Sequence, residues 1–236
     1  MILLHTIELL IGAITFFISY LGVITFSNYF RTWVADKMGD DTAVRLGYLT
    51  FNPFFHFDPI GTLFLFFFYF GWGRMAPICS ANIVRPYRNF KLIAAYFSNT
   101  AANLFLSVVG ILMLLAIFDI RIIAVMRYML LTYNISHMSI ANMYPHISST
   151  LVSLGFVIFS FVYINVALGV LEFIINLSSY LLVLISDRDD TYSNSFFVNF
   201  GLPIIFILFF SDILRRFSVD IITYVGLSIA SICGIA

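Results

Sequence analysis

Long apolar runs separated by short polar stretches organise this chain. The runs at residues 7–30, 90–118 and 147–185 each exceed the about 20 residues needed to cross a hydrocarbon core about 30 Å thick. The run at 60–72 is shorter and fits a tilted half-span or re-entrant piece. The run at 147–185 is nearly twice the required length, so it must bend or hold two crossings, with Asn176, Ser178 and Ser179 the best place for a break. Runs at 196–210 and 219–236, separated by the polar stretch 211–218, suggest a closing helical hairpin. The pattern predicts an all-α polytopic membrane protein of about six membrane segments, four to seven being allowed. It divides into a core at 1–185 and a C-terminal helical hairpin at 186–236.

Composition supports the membrane reading and narrows the function. Of the 236 residues, 61% are hydrophobic and 10% charged, against about 25% charged in a soluble domain. Twelve Lys and Arg balance twelve Asp and Glu, and they cluster between the apolar runs, so no basic face exists for nucleic acid. Cys79 and Cys233 have neither metal-type spacing nor a disulfide pattern. Residues 1–25 carry Glu8 and no basic leader, so they are expected to stay as a membrane helix and not to be removed as a signal peptide. Arg74, Arg85, Arg88 and Lys91 bring positive charge without an acid, which places their loop on the cytoplasmic side. The loop at 31–58 leans weakly the same way, which supports a non-spanning 60–72.

The stretch from Phe26 to Thr62 carries a specific pattern. Trp33, Val34, Ala35, Gly39, Asp40, Thr42, Ala43, Gly47, Leu49, Thr50, Asn52, Pro53, His56, Asp58, Pro59, Gly61 and Thr62 stand in an ungapped order. In that order they resemble the loop that follows the zinc-binding helix in the site-2 protease family of intramembrane zinc metalloproteases, short bacterial type. Phe70, Gly71, Trp72, Pro77 and the basic stretch 85–90 extend the resemblance, as does Asn103. It covers residues 7–185. It implies a site-2-protease-like core with a short irregular or β-hairpin loop after the first helix, in a bacterial inner membrane.

The family's chemistry does not carry over with the pattern. The resemblance puts Ser27 and Arg31 at the two metal-binding His positions of His-Glu-x-x-His and Asn28 at the catalytic Glu. Two imidazoles at i and i+4 hold Zn²⁺ while the Glu takes a proton from bound water. Ser27 is a poor ligand, Asn28 has no basic oxygen, and the Arg31 guanidinium has no lone pair and would repel the cation. The third ligand, an Asp in the family, falls at Tyr180, or at Leu184 if Asn176 is aligned with the family's Asn. His5, His56, His137 and His146 contain no i, i+4 pair. The expectation is therefore no metal and no cofactor, zinc being the family's.

Among the remaining residues, Asn52, Pro53, His56, Asp58, Pro59 and Gly61 read as turn chemistry, with Asp58 capping a helix that Pro59 opens. The functional alternative is a polar lip that receives a substrate segment. Arg31 and Glu172 are ionisable residues in apolar runs, costly enough to be functional candidates. Arg31 is expected to pair with Glu172 or Asp58 in the space zinc left, the plainer alternative being that it snorkels to the interface. No Ser lies in a G-x-S-x-G context. The readings in play are a non-catalytic pseudoprotease that holds a partner's transmembrane segment, an active metalloprotease with displaced ligands, and a small-ion transporter. Membrane lipid is the one partner all three share.

Overall fold

A computed structural model describes residues 2–132, 137–185 and 202–234. Among these residues it is all helical: α1 (Ile2–Met38), α2 (Thr42–Arg45), α3 (Pro53–His56), α4 (Pro59–Phe68), a 3-10 turn at Ser80–Asn82, α5 (Arg88–Ile117), α6 (Arg121–Thr132), α7 (His137–Met143), α8 (Ser149–Ile185) and α9 (Leu202–Cys233). Four helices, α1, α5, α8 and α9, are long and apolar enough to cross a membrane. The protein is an integral, multi-pass membrane protein.

Four long helices stand where the runs suggested about six. The 37 residues of α8 run unbroken, about 55 Å at 1.5 Å per residue. The polar residues that suggested a break are satisfied within the helix or across it. Ser178 and Ser179 donate back to the carbonyls of Ile174 and Ile175, both at 2.9 Å, and Asn176 bonds sideways to other helices. The polar stretch 211–218 likewise lies inside α9, with no turn. Ser218 donates to the Leu214 carbonyl at 2.8 Å, and Arg216 pairs with Asp212 at i,i+4 spacing, so helical spacing absorbs the charge. Residues 196–200 and the polar stretch 187–194 lie outside the described residues.

The loop after the first helix holds short helices in place of a β-hairpin, and each boundary has a local cause. Gly39, at φ +108, ends α1. Its N–H donates to Asp36 at 3.0 Å and that of Asp40 to Ala35 at 2.9 Å, the paired bonds of a Schellman end. Gly47, at φ +84, repeats the arrangement after α2 through Gly47 to Val44 and Tyr48 to Ala43, both 3.0 Å. Asn52 caps α3 by accepting from Phe54 N–H, Asp58 caps α4 by accepting from Gly61 N–H, and Pro53 and Pro59 open the two helices. The ten residues of α4 reach only about 15 Å.

The chain forms two compact units. Unit 1 takes in Met1–Tyr20, Leu104–Ala167 and Asp212–Ala236. Its interior includes Phe16 against Phe156, Phe159 and Tyr163 at ring separations of 6.1–6.5 Å. Small residues let its helices approach, as where Gly110 meets Val162 and Gly226 meets Ile123. Asp119 there accepts from Arg121 and from the Tyr144 hydroxyl, each at 2.7 Å, and these donors hold its carboxyl down at about 2. Unit 2 takes in Leu21–Asn103 and Leu168–Ser211. Ala35, Ile83, Leu92, Ala95, Tyr96 and Val183 form a buried cluster in it.

Unit 2 also depends on bare backbone. A Cβ on Gly61 would collide with the Trp72 carbonyl, and one on Gly71 with the Gly61 carbonyl. Gly61→Ala is expected to cost about 1–3 kcal/mol through overpacking. Thermal unfolding in detergent checks it, with Gly22→Ala, where nothing lies within 4 Å, as the tolerated control.

Candidate functional site

Three helices bring polar side chains together inside unit 2. α1 supplies Ser27, Asn28 and Arg31, which face inward at 0%, 1% and 5% exposure. α5 supplies Asn99, Thr100 and Asn103, and α8 supplies Glu172 and Asn176, all buried. Spacings of four residues within α5 and α8 stack Asn99 over Asn103 and Glu172 over Asn176 on single helix faces.

Arg31 is the centre of this set. Its Nε donates to the Ala76 carbonyl at 3.0 Å. Its Nη1 donates to Asn176 Oδ1 at 2.8 Å, to the Tyr96 carbonyl at 3.0 Å and to Asn99 Oδ1 at 3.2 Å. The guanidinium carbon also sits 5.8 Å from the Tyr96 ring centre, within cation–π range. A planar donor fork suits such a job, since it reaches several oxygens at once without moving.

The amides continue the network. Asn176 Nδ2 donates to Asn99 Oδ1 at 2.9 Å and to Thr100 Oγ1 at 3.2 Å. Asn103 Nδ2 donates to Glu172 Oε2 at 2.7 Å. Asn28 uses both ends of its amide, donating to the Ile24 carbonyl at 3.0 Å and accepting from Ala76 N–H at 3.1 Å. Ser27 turns its hydroxyl to the Ile24 carbonyl at 3.5 Å.

Arg31 does not pair directly with Glu172 or Asp58. Among the described residues no ion pair joins it to either carboxylate, and its Nε and Nη1 bonds all go to neutral oxygens. Glu172 is bonded instead to Asn103 Nδ2 at 2.7 Å. Nor does Arg31 snorkel, for it is buried and bonded to three other segments. Asp58 is occupied as the α4 cap, 2.7 Å from Gly61 N–H.

The position of the third ligand resolves differently from the sequence alignment. Tyr180 packs its ring against Tyr96 and Phe97, at 6.4 and 6.3 Å, while the α8 residue that reaches Arg31 is Asn176. The sequence marked Asn176 as a helix break and as an alternative alignment point, and gave neither it nor Asn99 a partner. Their signal was a lone amide in an apolar run facing another on a neighbouring helix, a pattern that needs the fold before the partners can be named.

The donors around Arg31 do not fit zinc. The metal takes Cys, His or carboxylate, whereas this place holds a cation, amides and main-chain carbonyls. Among the described residues no three His, Cys, Asp or Glu converge. The side chains of His5 and His137 lie outside the described residues.

The matched loop residues do structural work beside this site. Asp40 is buried and accepts from Thr42 N–H and Oγ1, from Asn82 Nδ2 at 2.9 Å and from Cys79 N–H at 2.7 Å, tying the end of α1 to the 79–82 turn. His56 is buried with Nε2 2.9 Å from the Thr50 carbonyl, so that nitrogen carries the proton, while Nδ1 has no partner. Its own carbonyl accepts from Arg74 N–H at 2.7 Å.

Comparison with known proteins gives partial support. The chain is 36% identical over 84 residues to "Putative zinc metalloprotease YwhC" of Bacillus subtilis (strain 168), a match that covers 36% of this chain and 37% of that protein. The chain therefore spans little more than a third of that relative's length. No family model matches the chain, and no solved structure does.

Two outcomes follow from this geometry. Arg31→Ala should cost about 2–4 kcal/mol, because it leaves the buried oxygens of Ala76 and Asn176 without this donor. Arg31→Lys should recover only part, since an ammonium cannot span the same oxygens. Denaturant titration in detergent checks both, and Arg31→Met with Glu172→Gln should cost less than the two single changes added. Burial also lowers the His56 pKa below its ordinary 6.5. The folded state then binds this proton less readily than the unfolded chain, so its contribution is full above about pH 6.5 and declines as pH falls below it. Proteolysis within residues 48–58 should rise between pH 7.5 and 5.5, and His56→Gln should flatten that rise.

Proposed function

We propose that this chain is a non-catalytic relative of the site-2 protease family, a pseudoprotease that holds a transmembrane segment of a partner protein without cutting it. The observation that carries the reading is the seat of Arg31. The residue at the second His position is a guanidinium bonded to Ala76, Tyr96, Asn99 and Asn176, and peptide hydrolysis of the zinc type has no place to start there. A general base is lacking as well, because both ends of the Asn28 amide are engaged and an amide oxygen does not accept a proton near neutral pH. The partial similarity to a protein named as a zinc metalloprotease and the helical membrane architecture support the family origin. The retained loop, with its capped helices and Asp40 tie, supports a scaffold kept for holding.

The test uses purified full-length protein in detergent and a membrane-embedded peptide bearing a photoreactive group. After dialysis against zinc and then buffer, metal analysis should find well under one zinc per chain, and the peptide should crosslink without being cleaved. Replacing Ser27, Asn28 and Arg31 by His, Glu and His should restore no cleavage, as Asn176 and Tyr180 supply no third ligand. Stoichiometric zinc lost on His56→Ala or Asp58→Ala, together with cleavage, would instead establish an enzyme with displaced ligands. Absence of any crosslink would remove the holding role.

A further inference from the structure

Just before α5 enters its apolar course, the chain presents cations and apolar side chains side by side. Residues 74–91 contain Arg74, Arg85, Arg88 and Lys91 and no acid. Arg88 is committed inward, donating to the carbonyls of Ile83 at 3.1 Å and Ser80 at 3.3 Å. Arg85 is exposed and makes no hydrogen bond or ion pair among the described residues. Lys91 reaches the Val84 carbonyl at a long 3.4 Å. Around them Val84, Tyr87 and Phe90 are 61%, 80% and 68% exposed, and Tyr87 holds a φ of +61.

Each half of this patch makes sense only with the other. Exposed aromatic and aliphatic side chains at the start of a membrane-spanning helix suit the interfacial layer, where Tyr and its kin anchor. Cations in that layer with no acid on the same segment lack a counter-charge from the protein, and a zwitterionic surface supplies no net one. We infer that the segment 84–91 is a docking surface for an anionic phospholipid headgroup, with Arg85 and Lys91 meeting the headgroup and Val84, Tyr87 and Phe90 lying in the layer beneath it. A soluble anion would need the cations but would leave the three apolar side chains in water. This inference is independent of the proposed function.

The experiment measures lipid retention by the full-length protein in mixed micelles of phosphatidylglycerol and phosphatidylcholine, read by native mass spectrometry. Phosphatidylglycerol should be retained preferentially, and its affinity should fall about fivefold for each charge removed in Arg85→Gln and Lys91→Gln. Arg45→Gln, a change at an exposed arginine already paired with Asp41 at 2.6 Å, should leave retention unchanged. Phe90→Ser should weaken both lipids alike, a second variant that reads the apolar half of the surface. Equal retention of the two lipids, an Arg45→Gln loss as large as that of Arg85→Gln, or displacement by inorganic phosphate as effective as by phosphatidylglycerol would each overturn the proposal.

Discussion

A buried guanidinium has to be surrounded by oxygen, and much of unit 2 is arranged so that Arg31 is. In a bilayer there is no water to take over a lost hydrogen bond. The acceptors must therefore come from the chain, and from more than one helix, because one helix spends its carbonyls on itself. Ala76 lies in an irregular segment with its carbonyl available, and Asn99 and Asn176 bring side-chain oxygens from α5 and α8. The Tyr96 carbonyl is also taken. Displacing any of these segments would remove acceptors from the charge, so Arg31 ties α1, α5, α8 and the segment at Ala76 to one another.

The loop between α1 and α5 makes a complementary demand. It must present Ala76 at the right height, and it does so by being built from short, separately capped pieces. Two Schellman ends at Gly39 and Gly47, two Pro-opened helices capped by Asn52 and Asp58, and the Asp40 tie to Cys79 and Asn82 leave little freedom. Gly61 and Gly71 then let the two arms of the loop meet backbone to backbone. Gly39, Asp40, Gly47, Asn52, Pro53, Asp58, Pro59 and Gly61 each have a task of this kind, serving the chain's path.

The sequence exposed this division in part. The Asp58 cap was legible because its physics is local: Asp58 before Pro59 needs no knowledge of the rest of the molecule. The helix ends at Gly39 and Gly47 were not read from the sequence, where the two glycines stood only as matches to a pattern. What failed was anything depending on a neighbour. Asn176, Ser178 and Ser179 looked like a break in α8, yet the two hydroxyls return to their own helix and the amide finds α5 and α1. The polar stretch 211–218 looked like a turn, yet Asp212 pairs with Arg216 at helical spacing. Arg31 was assigned a carboxylate partner by charge, whereas hydrogen-bond geometry gave it neutral oxygens.

That last difference shows what a buried cation asks of its surroundings. A metal site and a buried arginine make the same request of their surroundings, since both are cations that need electron pairs directed inward. They differ in who brings the geometry: a metal imposes angles on its ligands, while a guanidinium carries its donors in a fixed plane and accepts oxygens where the plane finds them. Carbonyls and amides meet the second request without the His, Cys or carboxylate ligands that zinc takes. The site holds Arg31 in this second way, on carbonyl and amide oxygens from α5, α8 and the segment at Ala76. A metal would need new ligands on more than one of these segments, because a His or carboxylate placed on α1 alone would still face amides and carbonyls.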